Sequence, residues 1–355
     1  MTTKIAFDGT GLSDPKLRTR LISASTCVDF TLTTDHTGTE PFIFVPDPAL
    51  SFLIPYLDQV GYKNNPKVII GGQNNIDTVH VGTTTEGFVI VSCRGTSGDK
   101  LDWAQDASFH LEKVKGFPGR VHQGFHASVT TIWENTKTEI KQQLEASGSK
   151  TVYVCGHSKG GAMATLLAAK MHIDPGLPTP TGVCTFASPK TSDADFRDWY
   201  NFHLHQISYE GQKDLFPFLP PTEKWPLPAS VVRQYIKKHY PKIFDKTTTK
   251  DLEAYVFCGE RFYISGEIEE MKVVDIKVVE DPHQGSLLDI SRIGEIGGML
   301  HKSPGDDKKR EVIEVAHSTL KFNHSIDVAT HQRSDGMYYL GVSVPLPVSV
   351  PLPVN

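Results

Sequence analysis

Ser158 stands in the run Gly156-His157-Ser158-Lys159-Gly160, a hydroxyl between two glycines. A serine hydroxyl is a weak nucleophile. To attack a carbonyl it needs a base to take its proton, a carboxylate to orient that base, and N–H donors for the oxyanion that forms. The chain offers a candidate for each part. Arg94-Gly95-Thr96 follows an apolar strand-like run, and its backbone N–H at Thr96, with that of Lys159 after the serine, suits an oxyanion; the Thr96 hydroxyl adds a third donor. Asp214, in Lys213-Asp214-Leu215-Phe216-Pro217-Phe218-Leu219-Pro220, suits the orienting acid, and the prolines disfavour a helix there. Asp193 and Asp195 are rivals, but their setting is that of helix caps. For the base, the downstream histidines are His239, His283, His301, His317, His324 and His331. His324 is favoured and His317 is the runner-up. The bland alternative is a glycine-rich turn with a capping serine.

The flanking elements argue against that alternative. Thr151-Val152-Tyr153-Val154-Cys155 is β-branched and aromatic, as a buried strand should be, and Gly161 to Ala169 is a run of small and apolar residues suited to a helix lying close on a sheet. Strand, G-x-S-x-G and helix together make a nucleophile elbow, in which the serine takes a strained conformation and side chains in place of Gly156 or Gly160 would collide with their neighbours. The helix N-terminus then faces the reacting carbonyl. Further strands are expected over 88–93, 182–187 and 205–209, and an amphipathic helix over 126–147 with Val129, Ile132, Trp133, Thr136, Ile140 and Leu144 on one face. This alternation predicts an α/β fold, a mostly parallel central sheet flanked by helices. Residues 261–265 and 271–279 read as two strands of an antiparallel extension. One domain is expected over 1–341. Beyond it, 342–355 repeats Val-Ser-Val-Pro-Leu-Pro and favours polyproline II.

Composition narrows the functional classes. The 355 residues carry a net charge of −5 and no strong basic block, which argues against nucleic acid as the main partner. No apolar window is long enough to span a membrane, and the first residues lack a signal-peptide core, so the cytoplasm is expected, with secretion the alternative. The five cysteines fall largely in apolar runs and read as buried free thiols. No C-x-x-C or H-E-x-x-H spacing occurs, and His203-x-His205, read on a strand, is an ordinary pair, so no metal or other cofactor is expected.

With these segments in order, the chain resembles the class 3 lipases, the fungal-type family of α/β-hydrolases, over about residues 65–330. The segments are Val91-Ser92-Cys93-Arg94-Gly95-Thr96, Val121-His122-Gln123-Gly124-Phe125, the Ser158 pentapeptide, the Asp214 segment and, more weakly, Gly259-Glu260-Arg261-Phe262-Tyr263-Ile264. The resemblance implies a serine carboxylic-ester hydrolase acting on lipid or small-molecule esters, in transient contact with a lipid surface. It implies Ser158 as nucleophile, Asp214 as triad acid, and Thr96 with Lys159 as oxyanion donors. Trp103 and Asp106 match a W-x-x-D pattern in which Asp106 would hold the Thr96 hydroxyl, and His157 is structural. Three departures stand out. Lys159 replaces the usual Leu, bringing a cation that either borders the acyl pocket or snorkels away. The spacing from Asp214 to His324 is long. Residues 97–109, at the lid position, are polar, which favours an esterase for short or aromatic acyl groups as the alternative activity; a non-catalytic binding protein is a third reading. The apolar stretch 46–56 either lines the acyl site or packs on the core.

Overall fold

The computed structural model describes residues 10–12, 14–30, 42–43, 53–72, 76–96, 109–211, 214, 216–220, 237–238, 249–264 and 276–279. Its centre is a parallel run of strands, β4 (Val89–Cys93), β7 (Val152–His157), β8 (Gly182–Phe186), β9 (Gln206–Gly211) and β10 (Glu260–Ile264). Antiparallel strands extend it at both edges. On one side lie β1 (Phe42–Ile43), β2 (Lys67–Gly71) and β3 (Asp77–Thr83), and on the other β11 (Ile276–Val279), giving the order β1-β2-β3-β4-β7-β8-β9-β10-β11 among the described residues. The expected hairpin near 261–279 is therefore present. Its first strand, however, pairs parallel with β9, and the larger antiparallel part lies at the opposite edge. Two short strands, β5 (Leu111–Glu112) and β6 (Val121–His122), form a separate ribbon.

The central strands β4, β7, β8 and β9 are buried at every position because both sheet faces are covered. Alternate residues point to opposite sides. Val152 and Val154 of β7, with Val89, Val91 and Cys93 of β4, enter one core beneath α3 (Gln123–Ser147), α4 (Lys159–Ile173) and α5 (Ala194–His203). Tyr153 and Cys155, with Ile90, enter the other, beneath α1 (Pro15–Asp29). A second N-terminal helix, α2 (Ile54–Val60), packs on α1; of the 46–56 stretch, Leu53 is buried with Val68 and Tyr56 packs beside them, Ile54 is exposed, and 46–52 lie outside the described residues. A short helix, α6 (Thr249–Ala254), precedes β10.

α4 is buried nearly all round, between the sheet and α3. That is why it is built from Gly, Ala, Leu and Met with no polar face. α3 is amphipathic, as the spacing predicts, but begins at Gln123. The preceding His122 turns its Nδ1 back to accept the N–H groups of Gly124 (3.0 Å) and Phe125 (3.3 Å), a cap made by a histidine where Ser or Asp is usual. All five cysteines are free and buried.

Candidate active site

The site forms where β7 ends and α4 begins, at the carboxyl edge of the parallel strands. Ser158 caps α4 with φ 55° and ψ −128°, and apart from Ala187 it is the sole non-glycine residue at positive φ among the described residues. Such a conformation costs on the order of 1–3 kcal/mol and persists only where surroundings impose it. Here they do. The Ser158 N–H donates to the Phe186 carbonyl at the end of β8 (2.9 Å), and the Ser158 carbonyl accepts the Gly161 N–H (2.9 Å). The glycines are sterically obligatory. A Cβ on Gly156 would lie 2.2 Å from the Gly160 carbonyl oxygen, and one on Gly160 would lie 2.2 Å from that of Cys93. The second of these contacts presses the first turn of α4 against the end of β4, where the segment 94–96 begins.

Two carboxylates that sequence reasoning did not single out tie this turn down. Asp29, the last residue of α1, has one oxygen 2.7 Å from Nδ1 of the fully buried His157, and its other oxygen accepts the Gly95 N–H at 2.7 Å. One side chain thus holds both the elbow and the segment leading to Thr96. Asp77, at the start of β3, has Oδ1 2.5 Å from the Lys159 ammonium, with both side chains buried. The Lys159 cation therefore neither faces the bulk solvent nor stands unpaired. No local pattern marks either aspartate; a lone Asp at a helix end or strand start has many ordinary uses.

Around them the electrostatics follow burial. Burial lowers the Arg94 guanidinium below its usual range, opposed by the nearby Asp29 charge. Burial, and secondarily Arg94, pushes His80 down to about 3, so it is neutral near pH 7. The Thr96 hydroxyl oxygen is shut off from solvent and has no hydrogen-bond partner among the described residues.

Asp214 is fully buried three residues beyond β9. Its N–H donates to Gly211, and its Oδ1 accepts the Phe216 N–H at 3.0 Å. The prolines do not wholly suppress helical geometry, since Phe216–Phe218 forms one 3₁₀ turn, a short piece that tolerates Pro217. Lys190, buried, sends its ammonium toward the carbonyls of Phe218 (3.4 Å) and Pro220 (3.3 Å), bracing this loop. Asp193 is the N-cap of α5, as expected, and Asp195 sits in its first turn. His203 ends α5, so His203 and His205 do not share a strand. His324, His317, Asp106 and Trp103 lie outside the described residues, as do 342–355. Among the described residues there is no gathering of three or more metal-ligating side chains, and no helix is long and apolar enough to cross a membrane.

A strained serine between a central parallel strand and a buried helix, with Arg94-Gly95-Thr96 at the end of the neighbouring strand, is the arrangement of the α/β-hydrolase fold. Within that class, residues 90–224 match the model of the family Lipase (class 3). A curated relative, phospholipase A1-IIgamma of Arabidopsis thaliana, is 28% identical over 162 residues, 38% of this chain and 38% of the relative, so the match spans well under half of that protein. Among solved structures, a fungal lipase superposes with a TM-score of 0.54 at 18% identity, covering 86% of this chain and 93% of that one. Another, from work on a buried polar cluster in fungal lipases, superposes at 0.53 with 17% identity, covering 75% and 84%. At such identities these two structures establish the shared fold.

Proposed function

We propose that the protein is a serine carboxylic-ester hydrolase cleaving acylglycerols or related lipid esters. The observation that carries this reading is the Ser158 turn, a nucleophile-type conformation enforced by two glycines that admit no side chain. In the proposed reaction His324 takes the Ser158 proton as Oγ attacks the ester carbonyl. Asp214 orients the imidazole and stabilises its cation. The N–H groups of Thr96 and Lys159, with the Thr96 hydroxyl, receive the oxyanion; that this buried hydroxyl has no hydrogen-bond partner among the described residues supports the role. The alcohol departs with the proton from His324. Water then attacks the acyl-enzyme, again losing its proton to His324, which passes it to Ser158 Oγ as the acyl–oxygen bond breaks and the acid is released. His317 is the alternative base.

The test is labelling by a fluorophosphonate probe of the wild type, Ser158→Ala, His317→Ala and His324→Ala. Labelling lost in Ser158→Ala and in His324→Ala alone supports the full assignment. Loss in His317→Ala instead moves the base. Ester turnover by Ser158→Ala should fall by roughly a million-fold, as in other triads. A folded wild type that neither labels nor turns over ester rejects the reading. The similarity to a phospholipase A1 makes glycerophospholipids one arm of the substrate series, beside acylglycerols and p-nitrophenyl esters of increasing chain length.

A further inference from the structure

In the reaction above, residue 159 contributes only its backbone N–H, and its buried ammonium has no part. We infer that the Lys159 side chain, clamped by Asp77, is a positioning residue that keeps the two backbone oxyanion donors in register; the inference rests on the reading of Ser158 as nucleophile.

The geometry links the two halves of the oxyanion site. Lys159 is the first residue of α4, directly after Ser158. Its Nζ lies 2.5 Å from Asp77 Oδ1, and the side chains are only 5% and 4% exposed. The other carboxylate oxygen accepts from the Thr131 hydroxyl of α3 at 3.2 Å, so Asp77 is held from two elements. Asp77 opens β3, and the carbonyl of the next residue, Thr78, accepts the Arg94 N–H at 2.9 Å. β3 lies antiparallel to β4, with Val79 opposite Cys93. The carboxylate is therefore fixed to the strand alongside the segment that carries Thr96. Lys159 reaches it from the elbow across the end of β4, where Gly160 already crowds the Cys93 and Arg94 backbone. An apolar side chain at 159 has no means of making this connection.

A stability role alone does not account for such a pair. Removing an ammonium and a carboxylate from water is costly, and apolar residues of similar volume commonly serve stability as well or better. What the ion pair supplies is direction. Charge-assisted hydrogen bonds set an angle and a distance, whereas apolar contacts permit sliding. Oxyanion donors lose much of their effect when displaced by about 1 Å.

The experiment compares the full-length wild type with Lys159→Met and with the doubly neutral Lys159→Met/Asp77→Asn. Four quantities are measured: the thermal midpoint, kcat and KM for a p-nitrophenyl ester, the fluorophosphonate labelling rate, and inhibition by an alkyl trifluoromethyl ketone. That ketone adds reversibly to the serine and places an oxyanion in the site. Lys159→Met leaves Asp77 unpaired and should lower both midpoint and kcat. In the double variant no charge is left uncompensated, so the midpoint should return toward wild type. Its kcat, labelling rate and ketone affinity should nevertheless stay about 10- to 100-fold down, with KM within about threefold. A double variant whose kcat and ketone affinity match wild type within about twofold overturns the positioning role while leaving the hydrolase reading intact. An inert wild type overturns that reading and this inference together.

Discussion

At the residue scale, the site depends on buried charges that serve backbone groups. Asp29 is the clearest case, because its two oxygens are divided between His157 and the Gly95 N–H. Asp29→Asn keeps the volume but removes the charge and turns one acceptor into a donor, so both bonds survive only if His157 switches tautomer and accepts at Nδ1. Under the proposed mechanism the loosened segment carries an oxyanion donor, so kcat should fall about tenfold or more with little change in KM. The thermal midpoint should also drop, by the equivalent of about 1–3 kcal/mol for a buried group left unsatisfied. Steady-state kinetics with a soluble ester checks the first expectation, and thermal denaturation checks the second. A variant with wild-type kcat would show that His157 and Gly95 hold their places without this carboxylate.

At the scale of elements, the elbow and the start of α3 make separate demands. Gly160→Ala places a Cβ 2.2 Å from the Cys93 oxygen, a backbone atom that cannot swing aside. It should destabilise the protein by more than about 3 kcal/mol or prevent folding, as read by circular dichroism and denaturant titration. The cap of α3 brings a pH dependence. Burial pushes His122 down to about 3, against an ordinary value of 6.5. Above pH 6.5 the ring is neutral in folded and unfolded chains alike. Between pH 6.5 and about 3 the unfolded chain binds a proton that the folded one refuses, so stability falls on acidification, by up to about 1.4 kcal/mol per pH unit. Buried His80 acts in the same direction. His122→Asn retains an acceptor for the Gly124 and Phe125 N–H groups but cannot titrate. Between pH 7 and pH 5 it should lose about 2 kcal/mol less than wild type in urea unfolding. Equal losses would mean that the folded protein protonates His122.

For the whole molecule, the question is how the later segments are held to the sheet. Arg120, in the link between β5 and β6, donates through Nε to Asp193 at 3.1 Å and through Nη1 to Asp251 at 2.9 Å. His110 meets the second Asp251 oxygen at 3.1 Å. A single guanidinium therefore joins the N-cap of α5 to α6. Arg120→Met should lower the thermal midpoint and raise amide exchange in residues 249–258 well before that of β4 and β7. Uniform exchange across the molecule would show that these segments do not depend on the network.

The Ser158 turn was legible in the sequence because its cause is local. Strain at one residue requires glycine at fixed neighbouring positions, and a strand and a helix on either side announce themselves by period and composition. The two-faced burial of β4 and β7 was legible for the same reason. Tertiary structure decided what lies far apart along the chain: Asp29 against His157 across 128 positions, and Asp77 against Lys159 across 82. It also decided that β10 joins β9 in parallel, because pairing at an edge depends on which strand is already there and not on the strand's own pattern. A glycine's neighbours are written beside it, but a buried charge accepts a partner from anywhere that the fold brings one.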